Sequence, residues 1–337
     1  FLAAASGLAR TSVSAAEPAR PKIPVILDTD IGDDIDDTWA LALLLKSPEV
    51  DIKLVVSDRG HTVYRAKIIA KLLQIAGRTD IPVGVGISEG NKEGPQAPWV
   101  ADYDLARYPG KVHQDGVAAL IDTIMNASQP ITLICIGPVP NIRAALDRQP
   151  EIAKRARFVG MHGSVRKGYD GGPEPHKEWN VVADAKSAQR VFTAEWPMLI
   201  TPLDTCGIVR LRGDKYRRVA ECSDPVTKAV IENYRIWSKA GNKPLDASSV
   251  LFDTVAVYLA FSRDLVVMED LPIRVTDDGL TVVDSRAGKV MHVATAWRNL
   301  GAFEDLLVYQ PGEEDMKVAV AGADIVRAAS LLLQGQQ

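Results

Sequence analysis

Residues 25–45 read VILDTDIGDDIDDTWALALLL: an apolar run of strand length, six aspartates within ten residues, then an apolar run of helical period. The order strand, polar turn, helix predicts the opening βα unit of an α/β fold, with the aspartates at the carboxyl end of the strand. Each ionised carboxylate raises the cost of ionising its neighbours, so such crowding calls for a cation, a shared proton or full solvation. The apolar flanks argue against solvation alone.

The same alternation continues outward. Strand-length apolar runs lie at 52–56, 81–85, 131–136, 158–161 and 198–200, and helix-period segments at 38–45, 64–76, 116–126, 142–146 and 185–192 separate most of them. Strands that are apolar throughout, joined by helices, predict an open, mainly parallel sheet with helices on both faces. Beyond Thr201 come helical stretches at 224–239 and 252–261, strand-like ones at 265–275, 280–283 and 290–296, and a last helix around 316–333. No Gly/Ser or Pro-rich linker interrupts the chain, which predicts one α/β domain over residues 17–337.

The N-terminus reads differently. Phe1–Ala9 is apolar and small, and Val13-Ser14-Ala15 or Ser14-Ala15-Ala16 resembles a signal-peptidase site, so residues 1–16 are expected to be a signal-peptide remnant and the protein exported, to the periplasm or beyond. A net charge of −4 and a pI near 5.8 give no basic footprint for nucleic acid or an anionic membrane. A small molecule is the expected partner, and a homo-oligomer is left open. Cys135, Cys206 and Cys222 show no CxxC spacing, which argues against a disulfide framework or zinc ribbon; Cys135 sits in an apolar run and is expected to be buried.

In open α/β sheets ligands bind at the carboxyl ends of strands, which puts the aspartates at the expected site. Asp36 and Asp37 fall at a helix N-terminus, where negative charge is favoured by up to about 1 kcal/mol. That role does not account for Asp28 and Asp30 on the strand end. Converging carboxylates with no His or Cys nearby suit a hard cation, Ca²⁺ or Mg²⁺.

The run DTDIG…DDTWAL resembles the DxDPGxDDAxAL fingerprint of the nucleoside hydrolases. AGRTDIPVGVG at 76–86, ITLICIGPVPNI at 131–142, EWNVVADAKSA at 178–188 and LFDTVAVYLA at 251–260 are similar to later segments of that family, in the same order. The resemblance implies a calcium-dependent N-ribohydrolase with an open α/β fold, acting on purine or pyrimidine nucleosides or a related riboside. Carried over by position, it makes Asp30 the general base on a metal-bound water. Asp28, Asp30, Asp37, Asp253 and the Ile136 carbonyl become the cation's ligands. Asp36, Glu178, Asn180 and Asp253 hold the sugar, with Asp58, or His61 if the loop shifts, facing the ribose.

Three departures stand out. Two extra residues separate Gly32 from the paired aspartates, leaving Asp33 and Asp34 unassigned, and Ile31 replaces the fingerprint proline. Phe252 stands where many members carry the histidine that protonates the departing base; an aromatic ring can pack against a base but donates no proton. Candidates to replace that histidine are His113, His176, Tyr234 and Trp237, the last two also for stacking. Two readings from other classes are a non-catalytic ribose binder and, because DTDIG follows a strand, a haloacid-dehalogenase-like phosphatase with a phosphorylated first aspartate.

Overall fold

The computed structural model describes residues 21–239 and 245–308. The expected signal segment 1–16 and the expected helix at 316–333 lie outside them. Among the described residues ten strands form one sheet: β1 (Ile23–Thr29), β2 (Val50–Ser57), β3 (Val83–Val85), β4 (Val112–His113), β5 (Ile131–Cys135), β6 (Ala156–Met161), β7 (Met198–Thr201), β8 (Val266–Val275), β9 (Thr281–Val283) and β10 (Lys289–Trp297). Their order is β4-β3-β2-β1-β5-β6-β7-β10-β8-β9.

Alternation along the central strands explains why they are apolar throughout. Val25 and Leu27 of β1 join one buried cluster while Ile26 joins the other; Val55 of β2 likewise opposes Leu54 and Val56, and Ile134 of β5 opposes Leu133 and Cys135. Successive side chains point to opposite faces, so both faces carry a core. On the first face pack the helices Asp36–Lys46, Thr62–Ile75, Pro225–Trp237 and Phe252–Leu259; on the second, Gly116–Met125, Pro140–Arg148 and Ala185–Phe192. The expected parallel sheet therefore holds from β4 to β7, and β10 extends it in parallel beside β7. Antiparallel β8 and β9 then close that edge.

The chain runs from β1 outward through β2, β3 and β4, then returns to place β5 on the other side of β1. This reversal is the topological switch point, where an open sheet parts at its carboxyl edge and leaves a crevice. Asp28 is in register with Val56 on one side and Cys135 on the other. The Ile136 N–H still donates to the Asp28 carbonyl at 3.0 Å, and the Asp58 N–H to that of Thr29 at 2.8 Å. Asp30 therefore emerges where the strands stop pairing.

Two elements lie outside the expected ones: the two-residue strand β4, too short to leave a pattern in sequence, and the helix Leu300–Val308. All three cysteines are free and buried, as expected for Cys135.

Candidate active site

A cavity of about 380 Å³ opens at the switch point, lined by Asp30, Ile136, Met161, Glu178, Asn180 and Asp253 together with Asp33, Asp34, Asp36, Asp37, Tyr169, Trp179, Trp237 and Phe252. The helices Asp36–Lys46 and Phe252–Leu259 both start here, each with acidic residues in its first turn. Two helix N-termini directed at one place favour carboxylates there. The Asp253 N–H donates to Asp36 Oδ2 at 3.2 Å, and Thr29 Oγ1 donates to Asp37 Oδ1.

Asp36, Asp37 and Asp253 are buried and can each bring one carboxylate oxygen within 4.8 Å of the others. Burial first, and mutual repulsion second, hold all three well above the ordinary carboxylate range: Asp34 adds most to Asp36, Asp30 and Asp36 to Asp37, and Asp36 and Asp37 to Asp253. Three carboxylates in that state suit a hard cation, for which they would supply oxygen ligands. Behind them, Asp28 Oδ1 and both Asp58 carboxylate oxygens are buried without a hydrogen-bond partner. The donor set fits the divalent cation that the sequence implies.

Asp30 stands beside this cluster. Burial raises its pKa to about 6, against the Arg65 guanidinium, which lowers it, and Asp33, which raises it. A carboxylate so placed is poised to take a proton near neutral pH. Gly137 makes room for it: a Cβ at 137 would lie 2.7 Å from Asp30 Oδ1. Opposite, Glu178 caps the short helix Trp179–Val182, accepting from the Asn180 and Gly163 N–H groups at 2.7 and 2.9 Å and from Val181 at 3.2 Å. Burial outweighs these bonds and lifts Glu178 to about 7. Asn180 Nδ2 donates to the Ile136 carbonyl at 3.2 Å and to that of Met161 at 3.1 Å.

The structure thus gathers Asp30, Asp36, Asp37, Ile136, Glu178, Asn180, Trp237, Phe252 and Asp253 around one cavity. Asp28, expected among the cation's ligands, is set back: it is wholly buried and Asn141 Nδ2 holds its Oδ2 at 2.9 Å, while Asp36 rather than Asp28 joins the close trio. Asp58 is likewise buried behind the wall rather than on it. Its pKa is raised well above normal by burial and then by Asp28 and Asp30, whose charges it adjoins. His61 precedes the helix Thr62–Ile75 outside the lining. His113 lies on β4, three strands from β1, or about 14 Å at ordinary strand spacing, too far to serve this cavity. His176 is exposed and packs edge-on against Tyr169, and the Tyr234 hydroxyl donates to the Ala247 carbonyl, so neither reaches the lining. Tyr169 and Trp179, which do, are not singled out by the sequence, because each opens a helical turn of only three or four residues, 169–171 and Trp179–Val182, too short to show a period.

Asp28 is also the aspartate that a haloacid-dehalogenase-like phosphatase would phosphorylate. It is buried, lies outside the lining of the cavity and has its Oδ2 held by Asn141, an arrangement that does not fit that reading.

Residues 25–320 match the family described as inosine-uridine preferring nucleoside hydrolase, and the chain belongs to this family. Over 230 residues it is 28% identical to the pyrimidine-specific ribonucleoside hydrolase RihA of Salmonella agona (strain SL483), covering 62% of this chain and 70% of that protein. RihA of Escherichia coli O9:H4 (strain HS) gives the same identity and coverage. Among solved structures, the plant nucleoside hydrolase PpNRh1 superposes with a TM-score of 0.71 at 22% identity, covering 85% of this chain and 98% of that one. The purine-preferring ribonucleoside hydrolase from Gardnerella vaginalis does so with 0.70 at 21%, covering 85% and 96%. These likenesses establish the same fold.

Proposed function

We propose that this protein hydrolyses the N-glycosidic bond of ribonucleosides, or of a related riboside, with Ca²⁺ as its cation. The observation that carries the reading is that Asp30, the Asp36–Asp37–Asp253 trio, Glu178 and Asn180 all line one cavity. A bound divalent cation supplies Lewis acidity toward water and an anchor for vicinal sugar hydroxyls. Asp36, Asp37 and Asp253 would hold it, with the Ile136 carbonyl alongside.

The remaining work falls to side chains of this chain. Asp30 takes the proton of the attacking water. Glu178, locked by three backbone N–H groups, and Asn180, locked by two carbonyls, present fixed polar edges to the sugar. Positive charge that builds on the ribose as the C–N bond breaks faces a cavity rich in carboxylates, which stabilises the oxocarbenium-like transition state. The aromatic rings of Trp179, Trp237 and Phe252 offer faces to a departing base.

A hydrolysis screen of uridine, inosine, p-nitrophenyl riboside and the matching 2′-deoxynucleosides, with Ca²⁺ and with chelator, tests this. Ribosides are expected to turn over only with the cation, and 2′-deoxy analogues to lose about 1–3 kcal/mol of transition-state binding per unpaired group. Binding by calorimetry with no turnover of any riboside would select the non-catalytic reading. The composition of residues 1–16 supports export as part of the proposal, and fractionation of cells expressing the full chain checks it.

A further inference from the structure

The two residues inserted in the fingerprint have no part in the chemistry above, yet the fold invests in holding them. Four consecutive carbonyls of the turn are each capped by a side chain: Ile31 by Arg65 Nη1 at 3.1 Å, Gly32 by Tyr64 Oη at 2.9 Å, Asp33 by Trp237 Nε1 at 3.0 Å and Asp34 by Gln96 Nε2 at 3.0 Å. A turn tied at every residue is rigid, and it carries the exposed carboxylates of Asp33 and Asp34 into the lining of the active-site cavity. Asp34 Oδ1 accepts the Ile35 N–H at 2.8 Å, while Asp33 Oδ2 stands 3.5 Å from Arg65.

The other lining is aromatic. Trp179 is 53% exposed and lines the cavity together with Phe252, Tyr169 and Trp237. Phe252 and Tyr169 meet edge to face with centroids 6.0 Å apart. Aromatic faces beside carboxylates are how proteins recognise organic cations. The Arg59 guanidinium over the Trp179 ring, 5.5 Å from its centroid, is itself engaged by Glu89 at 3.1 Å. Seven carboxyl groups line the cavity, and a single divalent cation balances only two negative charges.

Phe252 supplies the chemical reason for such a cavity. A neutral nucleobase leaves with a developing negative charge and needs a proton; a base that is already cationic leaves as a neutral molecule and needs none. Resting on the ribohydrolase reading, we infer that this site is built for ribosides whose aromatic base carries a positive charge, N-ribosylpyridinium compounds being the simplest class. In the reaction the water oxygen bonds to C1′ and one water proton passes to Asp30 and then to solvent. The C1′–N bond breaks with its electron pair going to the ring nitrogen. The products are ribose, a neutral pyridine and a proton. Asp33 and Asp34 act on the cation in the ground state, so their contribution falls on binding rather than on the chemical step.

Steady-state kinetics of the Ca²⁺-loaded enzyme on nicotinamide riboside, uridine, inosine and p-nitrophenyl riboside test this. The expected kcat/KM for the pyridinium riboside exceeds that for uridine and inosine by about a hundredfold, the lower range that an absent general acid forfeits. Asp34→Asn and Asp33→Asn should each raise KM for the cation by about three- to tenfold and lower the cation-to-uridine selectivity ratio in step, with the change in KM rather than kcat. Equal kcat/KM for the cation and uridine, or variants that affect both alike, would overturn the inference while turnover of p-nitrophenyl riboside leaves the ribohydrolase reading standing. No turnover of any riboside would overturn both.

Discussion

Asn141 Nδ2 donates to Asp28 Oδ2 at 2.9 Å and to the Ser57 carbonyl at 3.1 Å, while its Oδ1 accepts the Ile87 N–H at 2.8 Å. One side chain thus joins β1, β2 and the segment after β3 directly beneath the site. Asp28 is raised to about 7 by burial, with the Asn141 bond pulling the other way and the charge of Asp30 adding to the rise. Asn141→Ala leaves a carboxyl group and an N–H without a partner in the interior. It should destabilise the protein by about 3–5 kcal/mol, read from urea unfolding. A loss under about 1 kcal/mol would mean that water replaces the side chain and that Asp28 does not depend on it.

The trio of Asp36, Asp37 and Asp253 sets up a second expectation in which one substitution acts with opposite signs. Without a cation the three repel one another, so Asp253→Asn should raise the melting temperature of chelated protein. With Ca²⁺ at about 100 times its Kd, wild type should gain about 2.7 kcal/mol, and the variant less than half of that. Mg²⁺, which demands a tighter octahedral shell, should give wild type the smaller shift. Thermal unfolding with chelator, Ca²⁺ and Mg²⁺ measures all of this. A variant that responds to Ca²⁺ as wild type does would remove Asp253 from the ligand set.

How much of this was legible beforehand follows from what each element writes into the sequence. Strands buried on both faces read as apolar runs, and the helix Ala185–Phe192, with one strongly apolar face, was read to the residue. The site's position followed from Asp28–Asp37 lying at a strand end. The depth of each aspartate did not: Asp28 and Asp30 share a face by period two, but a strand rises about 3.3 Å per residue, which leaves Asp28 about 6.6 Å lower. Asp33 and Asp34 could not be assigned because an insertion has no register of its own. Only the caps from Tyr64, Arg65, Gln96 and Trp237, scattered over 174 positions of chain, define where that turn goes. The attachment of β8 to β10 was hidden for the same reason, since strand pairing between distant segments leaves no local trace.

His162 provides a pH signature separate from activity. Buried between Phe158 and Phe192, it is held down to about 4 by burial, with the bond from its Nε2 to the Gly137 carbonyl acting in the opposite direction. Between pH 4 and 6.5 the unfolded chain binds a proton here that the folded one does not. Its contribution is therefore complete above pH 6.5 and is lost as pH falls toward 4, on the order of 3 kcal/mol in all. His162→Gln lacks this titration. From pH 7 to pH 5 wild type should lose about 2 kcal/mol more than the variant, with the site carboxylates contributing to both alike. Parallel stability profiles would show that the ring titrates normally.

Phe252 decides how the base departs. Its ring lines the cavity and meets that of Tyr169 edge to face at 84°, so no proton donor occupies position 252. The rate on neutral substrates should then follow the stability of the leaving anion, with p-nitrophenyl riboside turned over far faster than uridine or inosine. General acid catalysis contributes about 10²–10⁴-fold, so Phe252→His should narrow that gap chiefly by accelerating the nucleosides. Asp30→Asn should abolish turnover of all three, because the water must lose its proton whichever group leaves. Tyr169 is the control. Its hydroxyl accepts the Trp179 N–H at 3.0 Å, and burial first, then the charge of Glu178, raise its pKa to about 12, so its proton is firmly held. Tyr169→Phe should therefore leave the ratio of p-nitrophenyl riboside to uridine rates unchanged. A loss confined to uridine and inosine would instead identify Tyr169 as the donor that position 252 lacks.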